Sequence, residues 1–212
     1  MATIPEPTRR RLVQIAQLLE QLPKTAQTER MTSKAMAELT GWSDAVIRRD
    51  ILLLGYKGGV SNGYDVHELH DAICSALKIG VGFETVQNCC IIGLGRLGAA
   101  LLENSIFENS PFRITAGFDS SVNRTEVLRS TFPLYPASRL EAVIQEQHIV
   151  YALLAVPEHE AQAMAVRLTA CGIRGIVNYT DAVLTLPGSV AVENVSPVTA
   201  LINLSARLAD RK

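Results

Sequence analysis

An apolar run, Val86-Gln87-Asn88-Cys89-Cys90-Ile91-Ile92, breaks into Gly93-Leu94-Gly95-Arg96-Leu97-Gly98 and resumes as Ala99-Ala100-Leu101-Leu102 with helical spacing. This reads as strand, tight turn and helix. Gly93 can take the turn, Gly95 lets the backbone approach a pyrophosphate, and Gly98 lets helix and strand pack closely, with free amides and the helix's positive end aimed at phosphate. Phe112 to Phe118 reads as a second strand ending on Asp119, 21 residues past Gly98. A carboxylate at that distance receives the adenosine ribose hydroxyls of a dinucleotide. It would also repel a 2′-phosphate, so the expected cofactor is NAD(H). The competing reading is a glycine-tight structural turn beside a surface aspartate.

Beyond Asp119 the pattern keeps alternating between strand and helix, as a doubly wound parallel sheet requires. Ser138 to Gln147 reads as helix, His148 to Pro157 as a buried strand, Glu158 to Cys171 as helix, Ile173 to Asn178 and Val190 to Val192 as strands. Ligands sit outside the carboxyl ends of such strands, which adds Ala155, Val156, Pro157, Asn178 and Tyr179 to Leu94, Arg96, Leu97 and the three glycines as candidate cofactor contacts. Pro197 to Ala209 forms a last helix that is apolar on more than one side. Burial against a second subunit or against its own sheet would each account for it.

The first 80 residues follow another pattern. Leu12, Ile15, Ala16, Leu19 and Leu22 recur at helical spacing until Pro23. Thr32 or Ser33 can cap a short helix closed by Gly41, and Ser43 can cap a third running from Asp44 to Leu54. Two short helices across a tight turn outline a helix-turn-helix, and Asn62-Gly63 signals a hairpin, so a wing is expected after the third helix. The chain's net charge is only −1, yet residues 1–57 carry nine Lys or Arg against six Asp or Glu. That local excess sits at Arg9-Arg10-Arg11, Arg48-Arg49 and Lys57, where a DNA-reading helix needs it. Ser43, Asp44, Asn62 and Tyr64 join these as candidate DNA contacts. A solvated helix end would use Arg48 and Arg49 equally well without DNA.

Domains are therefore expected at 1–80 (winged helix), 81–195 (Rossmann) and 196–212 (terminal helix), with a helix from His67 to about Leu77 bridging the first two. No apolar stretch approaches membrane-spanning length and the N-terminus lacks an apolar signal core, so a soluble cytoplasmic protein is expected. His67 and His70 have no neighbouring ligand set, and no metal is expected. Cys74, Cys89, Cys90 and Cys171 show no paired spacing; structural disulfides are not expected, and thiol redox sensing at Cys89-Cys90 stays open.

A winged helix joined to an NAD-type Rossmann domain and a terminal helix resembles the Rex family of redox-sensing transcriptional repressors. The resemblance spans almost the whole chain. It is carried by Ile4-Pro5-Glu6, Arg48-Arg49-Asp50, Gly63-Tyr64-Asp65-Val66, Gly93 to Gly98, Phe118-Asp119, Val156-Pro157, Gly172 to Asn178 and Glu193-Asn194-Val195. It implies a homodimer that binds palindromic operator DNA when NAD⁺ prevails, releases it when NADH binds, and exchanges its last helix between subunits. Three positions that the family associates with switching, an Arg, a Tyr and an Asp, are Gln17, Asn104 and Ser196 here. Their joint replacement points to altered coupling between dinucleotide and DNA. The rival readings are an NAD-dependent oxidoreductase, for which few residues remain to build a substrate domain, and a DNA-binding protein with a vestigial nucleotide domain.

Overall fold

The computed structural model describes residues 4–22, 30–56, 58, 62–79, 86–102, 107 and 110–209. The chain divides into two compact units, Met1–Thr85 and Val86–Lys212.

In the first unit, α1 (Glu6–Gln21) opens with Pro5 and Pro7, tolerated because the first turn has no intrahelical use for their missing N–H groups. Leu12, Ile15, Ala16 and Leu19 fall on one stripe and are buried. A two-residue strand β1 (Arg30–Met31) leads into α2 (Ser33–Thr40), capped by Thr32 Oγ1 accepting from the Ala35 amide at 3.1 Å. Gly41 ends α2 at φ 75°, donating its N–H to the Ala37 carbonyl. Two residues on, the Ser43 hydroxyl caps α3 (Asp44–Leu53) by accepting from the Val46 amide at 3.3 Å. These caps are the ones the sequence anticipates. β2 (Tyr64–Asp65) follows, and the Asp65 carboxylate caps α4 (Val66–Leu77). Leu12, Ile15 and Leu19 close over Met36, Ile47, Ile51, Leu69 and Ile73 in one core. Each such burial contributes roughly 1.5–3 kcal/mol before the ordering cost.

β2 pairs antiparallel with β1, Arg30 opposite Asp65 and Met31 opposite Tyr64. The hairpin expected across Asn62-Gly63 would fold back through residues that lie outside the described ones. Gly63 adopts φ 80° because a Cβ there would lie 2.8 Å from the Met31 carbonyl oxygen, so its tight backbone serves the β1 contact. Residues 57 and 59–61 lie outside the described residues.

The second unit is a six-stranded, wholly parallel sheet of β3 (Gln87–Ile92), β4 (Phe112–Asp119), β5 (Leu134–Pro136), β6 (Tyr151–Leu154), β7 (Gly175–Asn178) and β8 (Ala191–Asn194). Its spatial order is β5-β4-β3-β6-β7-β8, so the chain direction across the sheet reverses between β3 and β6. Alternation along β3 sends Cys90 and Ile92 to one face and Cys89 and Ile91 to the other, and both faces are covered. On the first, α7 (Leu140–Glu146) and α8 (Glu158–Ala170) bring Leu140, Val143, Ile144, Ala161, Ala165 and Leu168 against Phe118 and Leu154. On the second, Leu94, Leu101, Leu102 and Phe132 cover Cys89, Ile91 and Ile114. That two-sided burial is why the strands read as continuous apolar runs. α5 (Arg96–Ala100) is short, α6 (Val122–Val127) follows β4, and α9 (Pro197–Ala209) ends the described chain. Among the described residues no helix is long and apolar enough to cross a membrane.

Candidate functional site

The loop after β3 and the loop after β6 face each other where the strand order reverses, the position at which open parallel sheets take ligands. Their approach is set by Gly93. At φ 90° its missing Cβ would lie 2.5 Å from the Ala155 carbonyl oxygen, so a side chain there would force the two loops apart. Gly98 is tighter still, its missing Cβ falling 1.8 Å from the Gly93 carbonyl oxygen. Gly95, by contrast, has nothing within 4 Å of its missing side chain and lines a cavity of about 440 Å³. Gly93, Asp119, Ser120, Arg124, Ala155, Val156 and Pro157 line the same cavity.

Asp119 ends β4 and is 4% exposed. Its Oδ2 accepts from the Leu94 amide at 2.7 Å and its Oδ1 from the Ser121 amide at 2.7 Å. Arg124 Nη1 on α6 reaches both oxygens, at 3.3 and 3.4 Å. The carboxylate thereby ties the glycine loop to the end of β4. Arg124 was not among the residues the sequence singled out, although its place five residues past Asp119 was the available signal.

Among the other candidates, Leu94 contributes its amide and buries its side chain, while Arg96 and Leu97 are exposed. Asn178, expected as a cofactor contact, lies away from this cavity. It is fully buried, its Nδ2 donating to the Ala182 carbonyl and to Asn194 Oδ1, and its Oδ1 accepting from Thr180. Its amide is engaged in closing the turn after β7. Tyr179 packs against the opposite-face cluster and, like Asn178, is absent from the residues lining the cavity.

Cys89 and Cys90 are buried in β3, and burial pushes the Cys89 thiol up to about 12 and that of Cys90 higher still. Neither is poised as a thiolate. Among the described residues no cluster of His, Cys, Asp and Glu can hold a metal ion.

The first unit presents α3 with Ser43, Arg48 and Arg49 exposed and Asp44 partly so. Arg48 Nη2 holds Asp44 Oδ2 at 2.6 Å along the helix. Arg10 is exposed and Arg9 partly so on α1, both beside Glu6, and Asn62 is exposed. Two expected DNA contacts are placed otherwise. Arg11 turns inward to Asp50, which is 1% exposed and also accepts from the Thr8 hydroxyl. Tyr64 is 8% exposed and belongs to the core beside Tyr56, because β2 pairs with β1 and turns its ring inward. Lys57 lies outside the described residues, as does Asn104. Gln17 is exposed on α1, and Ser196 accepts from the Thr199 amide at the start of α9.

Every described residue of α9 is exposed, including Val198, Leu201, Ile202, Leu204 and Leu208. Packing on its own sheet is thereby not the arrangement of this helix.

Two family models match, "CoA binding domain" over residues 84–182 and "Putative DNA-binding protein N-terminus" over residues 3–51. The redox-sensing transcriptional repressor Rex of Ligilactobacillus salivarius is 33% identical over 91% of this chain and 88% of its own length. That of Leuconostoc citreum is 35% identical over 84% and 81%. Among solved structures, RSP, a Rex-family repressor, aligns over all of this chain and 96% of its own, with TM-score 0.82 and 28% identity. RSP in complex with β-NAD⁺ and operator DNA gives TM-score 0.82 at 30% identity, covering all of this chain and 95% of that one. A further RSP structure holds β-NADH. With more than four-fifths of these Rex repressors matched at over 30% identity, the chain belongs to the Rex family of redox-sensing transcriptional repressors.

Proposed function

We propose that this protein is a homodimeric, non-enzymatic repressor in the cytoplasm that binds palindromic operator DNA and responds to the NADH/NAD⁺ balance. The observation that carries the reading is the junction of Gly93, Gly95, Asp119 and Ala155 around one cavity at the sheet's reversal point. That is where a dinucleotide's pyrophosphate and adenosine ribose are received in this fold class. Relatives solved with NADH, and with NAD⁺ and operator DNA, support it.

Gly93, Gly95 and Gly98 form the pyrophosphate cradle in this reading, with Asp119 at the ribose and Ala155, Val156 and Pro157 bordering the nicotinamide side. Arg48 and Arg49 contact bases or phosphates from α3. Arg9, Arg10, Lys57, Ser43 and Asn62 supply further contacts. The functional divisions are 1–80 for DNA, 81–195 for the dinucleotide and 196–212 for pairing. α9 lays its exposed apolar residues on a second copy of the chain.

A dinucleotide shifts DNA binding only by its differential affinity for the two dimer shapes. Gln17 and Ser196 carry no charge where the family pattern has an Arg and an Asp, so the contacts that set this difference are weakened and the response to NADH is smaller. The test is operator affinity, at stated salt, in NADH, NAD⁺ and no ligand, using a palindromic duplex selected from random sequence. Affinity equal in all three, with no dinucleotide bound in calorimetry, would mean that the nucleotide domain is vestigial. A full NADH response would defeat the altered coupling, and turnover of a 2-hydroxy acid or aldehyde with NAD⁺ would defeat the non-enzymatic reading.

A further inference from the structure

We propose that Asp44 is a specificity residue of the DNA-reading helix: its carboxylate holds the Arg48 guanidinium toward the start of α3 and accepts a hydrogen bond from a cytosine N4 amino group at one position of each operator half-site. The inference rests on the operator-binding reading and names what one turn of α3 recognises. Ile47, Asp50 and Ile51 are buried, which turns Ala45, Arg48, Arg49 and Leu52 outward and leaves Asp44, partly exposed, at the edge of that outer face. Asp44 stands in the first turn, the part of a recognition helix whose side chains reach base edges.

Arg48 Nη2 meets Asp44 Oδ2 at 2.6 Å, with the two side chains 59% and 43% exposed. An exposed pair four residues apart adds little to stability, but it fixes where the Arg48 fork lies. Arg49 has only apolar residues three and four positions away, Ala45, Val46, Leu52 and Leu53, so the carboxylate singles out Arg48. Among the described residues Arg48 is the side-chain partner of Asp44, and it takes Oδ2. That leaves Oδ1 to accept and the other guanidinium N–H groups to donate. An acceptor beside a donating fork complements the major-groove edges of neighbouring C·G and G·C pairs, where cytosine N4 donates and guanine O6 and N7 accept. Thymine or guanine opposite Asp44 would set O4 or O6 against a carboxylate, and adenine would bring its N7 acceptor beside the N6 donor. Those bases are rejected at this position.

A carboxylate in a first turn also complements the helix macrodipole, and that role alone would affect stability without touching base preference. The two are separated by competition binding of the full-length protein to the selected palindrome, each base pair of one half-site being replaced in turn. In the wild type, changing one C·G pair to T·A is expected to weaken binding by about 10- to 100-fold. In Asp44→Ala the same change should cost less than about threefold, with preference at pairs outside the Asp44–Arg48 contact retained and affinity for random duplex held or raised by the loss of a negative charge. Asp44→Asn, which keeps the shape and removes the charge, should likewise weaken the preference for cytosine. A base-preference profile in both variants that matches the wild type, with only the urea midpoint lowered, overturns the proposal. So does a wild type that favours no C·G pair. A wild type that binds the palindrome no better than random duplex removes the operator reading as well.

Discussion

Arg11 meets the Asp50 carboxylate side-on, Nε to Oδ2 at 2.6 Å and Nη2 to Oδ1 at 2.9 Å, and so locks α1 to the helix that carries Arg48 and Arg49. Asp50 is buried and Arg11 is three-quarters so, and the Asp50 hydrogen bond raises the Arg11 pKa further. Among the described residues, replacing Arg11 leaves a buried carboxylate held only by the Thr8 hydroxyl.

Arg11→Met should therefore destabilise the protein by about 2–4 kcal/mol, read as a lower urea midpoint, because breaking a buried pair strands its partner. The pair also separates Arg11 from its neighbours in function. Arg10→Ala should reduce the salt dependence of operator binding by about one phosphate's worth, whereas Arg11→Met should leave that slope unchanged while weakening the fold. A reduced slope in Arg11→Met would return Arg11 to the DNA surface.

The thiols of β3 should be silent in the folded protein. Burial pushes the Cys89 thiol up to about 12 and that of Cys90 higher still, so both stay protonated and unreactive at pH 8. Iodoacetamide labelling followed by mass spectrometry should modify Cys89 and Cys90 only after unfolding. Their modification in native protein would revive a thiol-sensing role.

Much of this architecture is written in local chemistry. Thr32, Ser43 and Gly41 mark their helix ends by hydrogen bonds to amides or carbonyls within four residues, so the helix-turn-helix could be read directly. The glycine loop and Asp119 were legible because their spacing is tied to a backbone path. What escaped depended on distant partners. β5 is three residues long and exists because Gly117, Phe118 and Asp119 pair with it. Tyr64 and Arg11 looked like surface groups because nothing local announces Met31 or Asp50 as their neighbours. Asn178 likewise ends a strand at the cleft side, but Asn194, sixteen residues on, draws its amide into the turn.

Gly98→Ala tests the cradle. With its Cβ at 1.8 Å from the Gly93 carbonyl oxygen, backbone must move, and that backbone is the part proposed to receive the pyrophosphate. Dinucleotide binding should fall by more than about tenfold together with a loss of stability of about 1–3 kcal/mol. Gly95→Ala, whose Cβ enters open space, should cost little stability and lower affinity through contact with ligand alone. Equal stability losses in the two variants would show that the loop does not hold the geometry described.

The last helix makes the strongest demand on a second copy. Leu201, Ile202 and Leu208 are each more than 60% exposed, on a helix whose described residues are all exposed. Burying one such side chain stabilises by roughly 1.5–3 kcal/mol, so a pair of helices offers enough to hold a dimer at micromolar concentration once association costs are met. Leu201→Asp with Ile202→Asp should therefore yield a monomer by sedimentation equilibrium while the far-ultraviolet circular dichroism of the rest persists. Operator affinity should fall much more than the loss of one phosphate contact would cause, since a palindrome is read by two α3 helices joined at fixed spacing. A double variant that stays dimeric and binds the palindrome normally would place the subunit contact elsewhere and leave α9 without its proposed role.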